Sequence, residues 1–141
     1  MSGEWVDDKY CFACGDKNPI GMRLHFTLTK DGGLEAKYTF PKELQGYSGI
    51  VHGGMISLLL DEVMVNLPWL KLKQPVVSAD IRIKLKKPLK IGVPVIARAF
   101  ITRQKKNIFW VKSALIREAD GVEVAQAEAT CVQVSLEQMN G

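Results

Sequence analysis

The sequence predicts an α+β domain in which a strongly curved antiparallel β-sheet surrounds one long helix. Two segments that alternate apolar and polar residues precede a single long apolar segment, and four more alternating segments follow it. Strands that are joined mostly by hairpin turns form antiparallel sheets. A helix that is apolar on nearly every side is usually buried on most sides, so the sheet has to wrap around it.

The length and composition fit one such domain. The chain has 141 residues, of which 47% are hydrophobic and 24% are charged, as in ordinary globular domains. Residues 1–21 contain turn-forming residues such as Asn18, Pro19 and Gly21, and we interpret them as an irregular N-terminal segment. Residues 22–137 are interpreted as the single domain.

The individual elements follow from periodicity and from the residues that interrupt it. Strands are predicted over 24–28 and 34–40, with a turn at Asp31-Gly32-Gly33 between them. The helix is predicted over 53–67, because Pro68 lacks a backbone N–H and is expected to end it. Four further strands are predicted over 76–87, 95–103, 108–117 and 122–135.

One face of the last predicted strand carries only small side chains. Small side chains on a strand let another element approach closely, and the central helix is the obvious candidate. The helix would still keep an apolar side that its own chain does not cover, which predicts a partner subunit. The small residues are Ala125, Ala127, Ala129 and Cys131.

Composition also excludes or disfavours several classes of protein. With 3 cysteines the chain is no disulfide scaffold, and a reducing, cytoplasmic location is expected. The first residues include acids and lack the apolar core of a signal peptide. The longest apolar stretch, 55–60, is far shorter than the roughly 20 residues of a membrane span. The net charge of +4 is compatible with nucleic acid or with phosphorylated ligands and selects neither. Aromatic residues do not alternate with basic ones as in a stacking platform, so a nucleic-acid partner is not expected, and neither is a membrane partner.

The most informative motif is His52-Gly53-Gly54 at the predicted start of the helix. The first N–H groups of a helix have no partners within it and, together with the helix dipole, favour negative charge. Glycines allow a ligand to approach this backbone, as an oxyanion site requires. The alternative is that the two glycines merely form a tight entry into a crowded helix.

Two carboxylates, Asp61 and Glu62, interrupt the apolar helix. A buried carboxylate is costly unless it is paired or used, and burial moves its pKa towards that of a useful general base. The alternative is that one of them reaches solvent and the other pairs with a lysine. Asp61 lies on nearly the same side of the helix as Gly54 but about 10 Å further along its axis. One chain cannot place both at one carbonyl, whereas two antiparallel helices could, which predicts a site shared across a dimer.

These residues resemble the hotdog-fold acyl-CoA thioesterases, in particular the phenylacetate-pathway (PaaI-like) group. The resemblance covers about residues 10 to 135. It is carried by the motifs Cys11-Phe-Ala-Cys14-Gly, Gly49-Ile-Val-His52-Gly53-Gly54, Leu60-Asp61-Glu62, Val77-Ser78-Ala-Asp80 and Lys87-Pro88-Leu-Lys-Ile-Gly92.

The resemblance implies a homodimer, often a tetramer of two dimers, that hydrolyses an acyl-CoA thioester. It implies that Asp61 is the base that activates water, or less favourably a nucleophile, with Glu62 as the alternative base. The Gly54 amide of the other subunit would polarise the carbonyl, assisted by Gly53. The remaining implied roles are His52 orienting the loop, Ser78 positioning the water or the carboxylate, and Gln45 contacting substrate.

Basic residues and cysteines offer further candidate ligand sites. A basic rim that includes Lys86 and Lys87 suits the phosphates of coenzyme A. Cys11 and Cys14 have the spacing of half a zinc site, but no second close pair exists. A packed loop, a redox disulfide and a metal site therefore stay open, and we expect no metal or other cofactor. The other candidate ligands in the chain are His25, His52 and Cys131.

Two other functions compete with thioester hydrolysis. A hotdog hydratase or dehydratase would use a histidine–carboxylate pair on a hydroxyacyl chain. A non-catalytic acyl-CoA sensor would bind the ester without turning it over, but such sensors usually carry a DNA-binding segment, and no helix-turn-helix fits in residues 1–21.

Overall fold

The computed structural model describes residues 7–135, which form one long helix and one six-stranded antiparallel sheet. The helix α1 spans Gly53–Leu72, after a short 3-10 turn at Lys42–Leu44. The sheet order is β1-β2-β4-β5-β6-β3, so β1 and β3 are the edges. The strands are β1 Thr27–Leu28, β2 Leu34–Thr39, β3 Val76–Leu85, β4 Pro94–Lys105, β5 Ile108–Arg117 and β6 Glu123–Gln133.

The helix contacts all six strands, which confirms the predicted sheet wrapped around one central helix. Its fully buried apolar side chains form the centre of the hydrophobic core. They are Ile56, Leu59, Leu60, Val63, Met64 and Leu67.

The predicted end of the helix is wrong, because α1 continues through Pro68 to Leu72. Pro68 is buried, and partly buried Leu70 packs against the core in the next turn. Packing of the last turn therefore outweighs the loss of one backbone N–H. The helix ends at Lys73, whose left-handed φ of 56° lets its N–H reach the carbonyls of Pro68 and Trp69.

The first strand is shorter than predicted. Arg23 has a left-handed φ of 56°. The N–H groups of Met22 and Leu24 bond the carbonyls of Phe12 and Ala13, at 2.8 and 2.9 Å. Residues 22–24 therefore pair with the N-terminal segment, and only Thr27–Leu28 pairs with β2.

The small side chains of β6 face the helix, as predicted. Ala125 is 0% exposed, and the other three residues of this face are also buried. On β5, Phe109 is buried in the core, while its neighbour Trp110 faces outward under the Arg103 guanidinium, 4.8 Å from the ring centre. Successive residues of β5 therefore point to opposite sides of the sheet.

A β-bulge in β3 decides which of its side chains face the helix. Ser78 pairs with Cys131 and Asp80 with Thr130, so one residue is left over between them. The extra residue changes the alternation, and Ser78 then shares the helix-facing side with Ile83.

Residues 1–6 of the predicted N-terminal segment and residues 136–137 of the predicted domain lie outside the described part of the chain. The boundary proposed between segment and domain stays a prediction. No helix within residues 7–135 is long and apolar enough to cross a membrane.

The close approach of α1 to β6 makes a specific prediction. Ala125→Leu forces extra methyl groups against the helix and should destabilise the protein by about 1–3 kcal/mol. The same change at Ala114, on the outward face of β5, should cost no more than about 0.5 kcal/mol. Urea unfolding of both variants measures this, and equal losses would contradict the account of the small face.

Candidate active site

The loop before α1 is held by its own backbone. The His52 N–H donates to the Leu44 carbonyl at 3.0 Å, and Gln45 pairs with Val51 in an isolated β-bridge. The Gln45 side-chain oxygen accepts from the Gly49 N–H at 3.1 Å. Gln45 therefore braces the loop, while Gly49 supplies the positive φ of 78° that its turn needs.

His52 caps the helix with its own side chain. Its Nδ1 accepts a hydrogen bond of 2.9 Å from the Gly54 N–H, in the position that serine or aspartate usually occupies. A Cβ on Gly54 would lie 3.1 Å from that Nδ1, so glycine keeps the ring close to the backbone. The sequence predicted a free amide here, and the structure shows it bonded to the neighbouring histidine.

Gly53 lies beneath the end of β3. Its N–H has no hydrogen-bond partner within residues 7–135, and a Cβ there would lie 2.8 Å from Leu85 Cδ1. Lys86 and Lys87 directly follow Leu85 and therefore lie near the start of the helix. Lys86 is paired with Glu123, whereas Lys87 is exposed.

Asp61 is the unusual carboxylate of the site. The residue is half-buried, and its Oδ1 is shielded from solvent with no hydrogen-bond partner in the described part of the chain. Burial raises the pKa of Asp61, and the nearby Ser78 hydroxyl opposes part of that rise. Buried polar atoms are almost always paired, so an unpaired carboxylate oxygen marks a candidate base.

Cys131 completes this group, a position that neither its place on the small face of β6 nor its thiol predicted. It is fully buried opposite Ser78, and burial followed by the charge of Asp61 raises its pKa to about 11. The thiol is therefore neutral at physiological pH. The pairing of Cys131 with Ser78 across β6 and β3 could have revealed this position, but the bulge in β3 obscures that pairing in the sequence.

Glu62 faces a different environment from Asp61. Its Oε1 accepts from Asn66 Nδ2 at 3.1 Å and from Cys11 Sγ at 3.7 Å. Burial raises its pKa, which the hydrogen bonds from Asn66 and then Cys14 partly offset. Burial, then the Cys11 hydrogen bond and the Glu62 charge, raise the pKa of the Cys14 thiol. Sequence reasoning missed these contacts, although an asparagine four residues after a glutamate on a helix is a known pair.

The predicted site residues thus fall into two groups on one helix. Asp61 and Ser78 lie together at its middle, while His52, Gly53 and Gly54 lie at its start, about 10 Å away along the axis. Gln45 supports the second group through the loop. Glu62 belongs to neither group, because it faces the N-terminal segment.

This arrangement offers two chemical functions. An unpaired carboxylate with a raised pKa can take a proton from water. Amides at a helix start can stabilise a developing negative charge on oxygen.

Residues 48–124 match the family model of the thioesterase superfamily, and this is more than half of the chain. The match includes the loop from position 48, the whole of α1 and the site residues at its start and middle, whereas Gln45 lies before it. The chain belongs to the thioesterase superfamily.

Solved structures of similar fold agree with this assignment. A thioesterase superfamily protein superposes on this chain with a TM-score of 0.80 at 20% sequence identity. The superposition covers 89% of this chain and 61% of that protein. A phenylacetic acid degradation-related protein from Ralstonia eutropha JMP134 superposes with a TM-score of 0.70 at 26% sequence identity. That superposition covers 79% of this chain and 85% of the other protein.

A third similar structure is the E. coli PaaI protein from the phenylacetic acid degradation operon. Its TM-score is 0.73 at 15% identity, with 81% of each chain covered. Comparison with curated protein sequences gives no significant match. The fold is therefore the hotdog fold that the sequence predicted, and the likeness to the PaaI-like group is confirmed.

The environment of Asp61 predicts a pH-dependent cost to stability. Because folding raises its pKa, ionisation opposes folding once the pH exceeds the ordinary aspartate pKa, and the cost grows until the folded pKa is passed. Asp61→Asn removes the ionisable group. The Tm of this variant should therefore exceed that of the parent by more near pH 8 than near pH 4, a pH close to the ordinary aspartate pKa of about 4.

Asp80→Asn, which changes an exposed carboxylate of β3, is the matched control and should show no such trend. A Tm difference for Asp61→Asn that is the same at both pH values would contradict the buried-charge account.

Proposed function

We propose that the protein hydrolyses acyl-CoA thioesters to a carboxylic acid and free coenzyme A. The observation that carries this proposal is the shielded, unpaired Oδ1 of Asp61 in a chain of the thioesterase superfamily. A thioester carbonyl is electrophilic, so water attack needs only one base and one oxyanion site. The proposed chemistry requires no cofactor, since coenzyme A enters as part of the substrate.

Asp61 acts as the general base in this proposal. Its carboxylate takes a proton from water as the oxygen attacks the carbonyl carbon, and the same proton passes to the departing thiolate. Ser78 is close enough to influence the Asp61 pKa and positions the carboxylate or the water. Glu62 is the weaker candidate, because its Oε1 is already bonded by Asn66 and Cys11.

The Gly54 amide acts as the oxyanion donor, with the Gly53 amide beside it. In the free enzyme His52 Nδ1 accepts the Gly54 hydrogen bond, and the substrate oxygen replaces that nitrogen when the ring turns away. The loop that Gln45 braces holds the backbone of His52 next to the oxyanion site.

The site is completed across a homodimer. The β3 edge is 10 residues long, whereas the opposite edge, β1, has 2. A long apolar edge is a template for pairing with another chain. It carries exposed Val77, Ile81 and Leu85. Pairing two such edges would bring two antiparallel helices together and set Asp61 of one chain against Gly54 of the other, and two dimers could then form a tetramer.

The surroundings of the site support a coenzyme A ester as the substrate. Exposed Lys87 at the end of β3 would attract the phosphates of coenzyme A, and Lys86, although paired with Glu123, belongs to the same basic rim. The relative from R. eutropha is related to phenylacetic acid degradation, so phenylacetyl-CoA is the first ester to test. A cytoplasmic location, with no nucleic-acid or membrane partner, remains part of the proposal.

Thioester hydrolysis is tested by thiol release from a panel of aromatic and aliphatic acyl-CoAs. Asp61→Asn should lower kcat/KM by about 10²–10⁴, the usual contribution of a general base, while acyl-CoA binding is retained. Asp80→Asn should retain parental turnover. Near-normal turnover by Asp61→Asn would refute the role of Asp61, and binding without turnover of any ester would favour a non-catalytic acyl-CoA-binding protein.

The shared site is tested by mixing two inactive variants. Asp61→Asn removes the base, and Gly54→Pro removes the amide hydrogen at a position where the first helical turn tolerates proline. After co-refolding, randomly paired dimers should recover about a quarter of parental activity, because half of them are mixed and each of those has one intact site. No recovery, with mixed dimers shown by native mass spectrometry, would place both residues of one site in the same chain.

A further inference from the structure

A cluster of three metal-ligating side chains lies outside the proposed catalytic residues. The Sγ atoms of Cys11 and Cys14 and a carboxylate oxygen of Glu62 all lie within 4.8 Å of one another. The two cysteines come from the N-terminal segment, and the glutamate comes from the middle of α1. The sequence showed the pair of cysteines but not the third ligand, which is 48 residues further on and reaches them only in the fold.

From this cluster we propose that Cys11, Cys14 and Glu62 bind one Zn²⁺ ion that fastens the N-terminal segment to α1. Cysteine thiolates and glutamate carboxylates are both zinc ligands, and Cys-x-x-Cys is typical ligand spacing. Tetrahedral zinc bonds of about 2.3 Å to sulfur and about 2.1 Å to oxygen place those two atoms about 3.6 Å apart. The Cys11 Sγ and Glu62 Oε1 atoms are 3.7 Å apart.

The cysteine loop is built rigidly around the two thiols. The Gly15 N–H donates to the Cys11 carbonyl at 2.8 Å, so the chain turns back directly after Cys14. A Cβ on Gly15 would lie 2.4 Å from the Cys11 nitrogen, and therefore only glycine fits this turn. Asn18 is buried and holds the loop from beneath, with its Nδ2 donating to the Tyr10 carbonyl at 3.2 Å.

The glutamate is held in place as well. Asn66 Nδ2 donates both to Glu62 Oε1 at 3.1 Å and to the Glu62 carbonyl at 2.8 Å. Such outer hydrogen bonds orient metal ligands. Within residues 7–135 no lysine or arginine forms an ion pair with Glu62. The cluster therefore contains three groups that can become anions, and no cationic side chain balances the charge of the carboxylate. Zinc would supply that charge, with the two thiol protons released to solvent and a water as fourth ligand.

The test is a titration of the full chain with Co²⁺, followed by displacement with Zn²⁺, in the presence of a phosphine reductant. We expect a thiolate-to-cobalt absorption band that saturates at one ion per chain, and a rise in Tm when Zn²⁺ is added. Cys11→Ser, Cys14→Ser and Glu62→Gln should each weaken binding at least about tenfold.

Two variants serve as matched controls. Cys131→Ser changes the buried cysteine of β6, and Glu43→Gln changes an exposed carboxylate, and both should keep the band and its stoichiometry. The proposal is overturned if the reduced protein shows no such band, or if Glu62→Gln binds as tightly as the parent. The outcome would instead be a Cys11–Cys14 disulfide if two results are found together. The protein's mass would be lower by two hydrogens without reductant, and no metal would bind when the reductant is present. None of these results depends on thioesterase activity.

Discussion

The apolar helix α1 can be buried only if the antiparallel sheet curves around it, and this requirement sets the position of every strand. Apolar side chains around most of α1 have to leave water, and a single antiparallel sheet achieves this only by bending around the helix. The small side chains on one face of β6, including Ala125, are buried beneath this helix. The proposed catalytic groups lie at the start and the middle of this helix, and Glu62 of the cysteine cluster lies on it as well.

The same burial creates the reactive carboxylate. Asp61 sits among apolar residues on a helix that the sheet surrounds, so its charge is desolvated and its Oδ1 lacks a partner. A protein selected only for stability would not retain such a group, because an amide or apolar residue would cost less there. The stability lost at Asp61 is the counterpart of the basicity that the proposed hydrolysis uses.

Glu62, the next residue along the helix, shows how differently two adjacent carboxylates can be used. Successive residues on a helix point about 100° apart, so Asp61 and Glu62 face different neighbours. Asp61 meets Ser78 and Cys131 on the sheet, whereas Glu62 meets Asn66 and the cysteine loop. In our proposals Asp61 is a base and Glu62 is a zinc ligand, although the two residues are adjacent on α1.

The fold class, the helix, nearly every strand and the family resemblance could be predicted from the sequence, because hydrophobic periodicity and the His52-Gly53-Gly54 motif are local signals. Asp61 could also be recognised, as a carboxylate in an apolar run. Three features could not be predicted: α1 runs past Pro68, residues 22–24 pair with the N-terminal segment, and Glu62 meets Cys11 and Cys14. Those outcomes depend on contacts between distant parts of the chain, where packing outweighs local preference, and no local pattern encodes them.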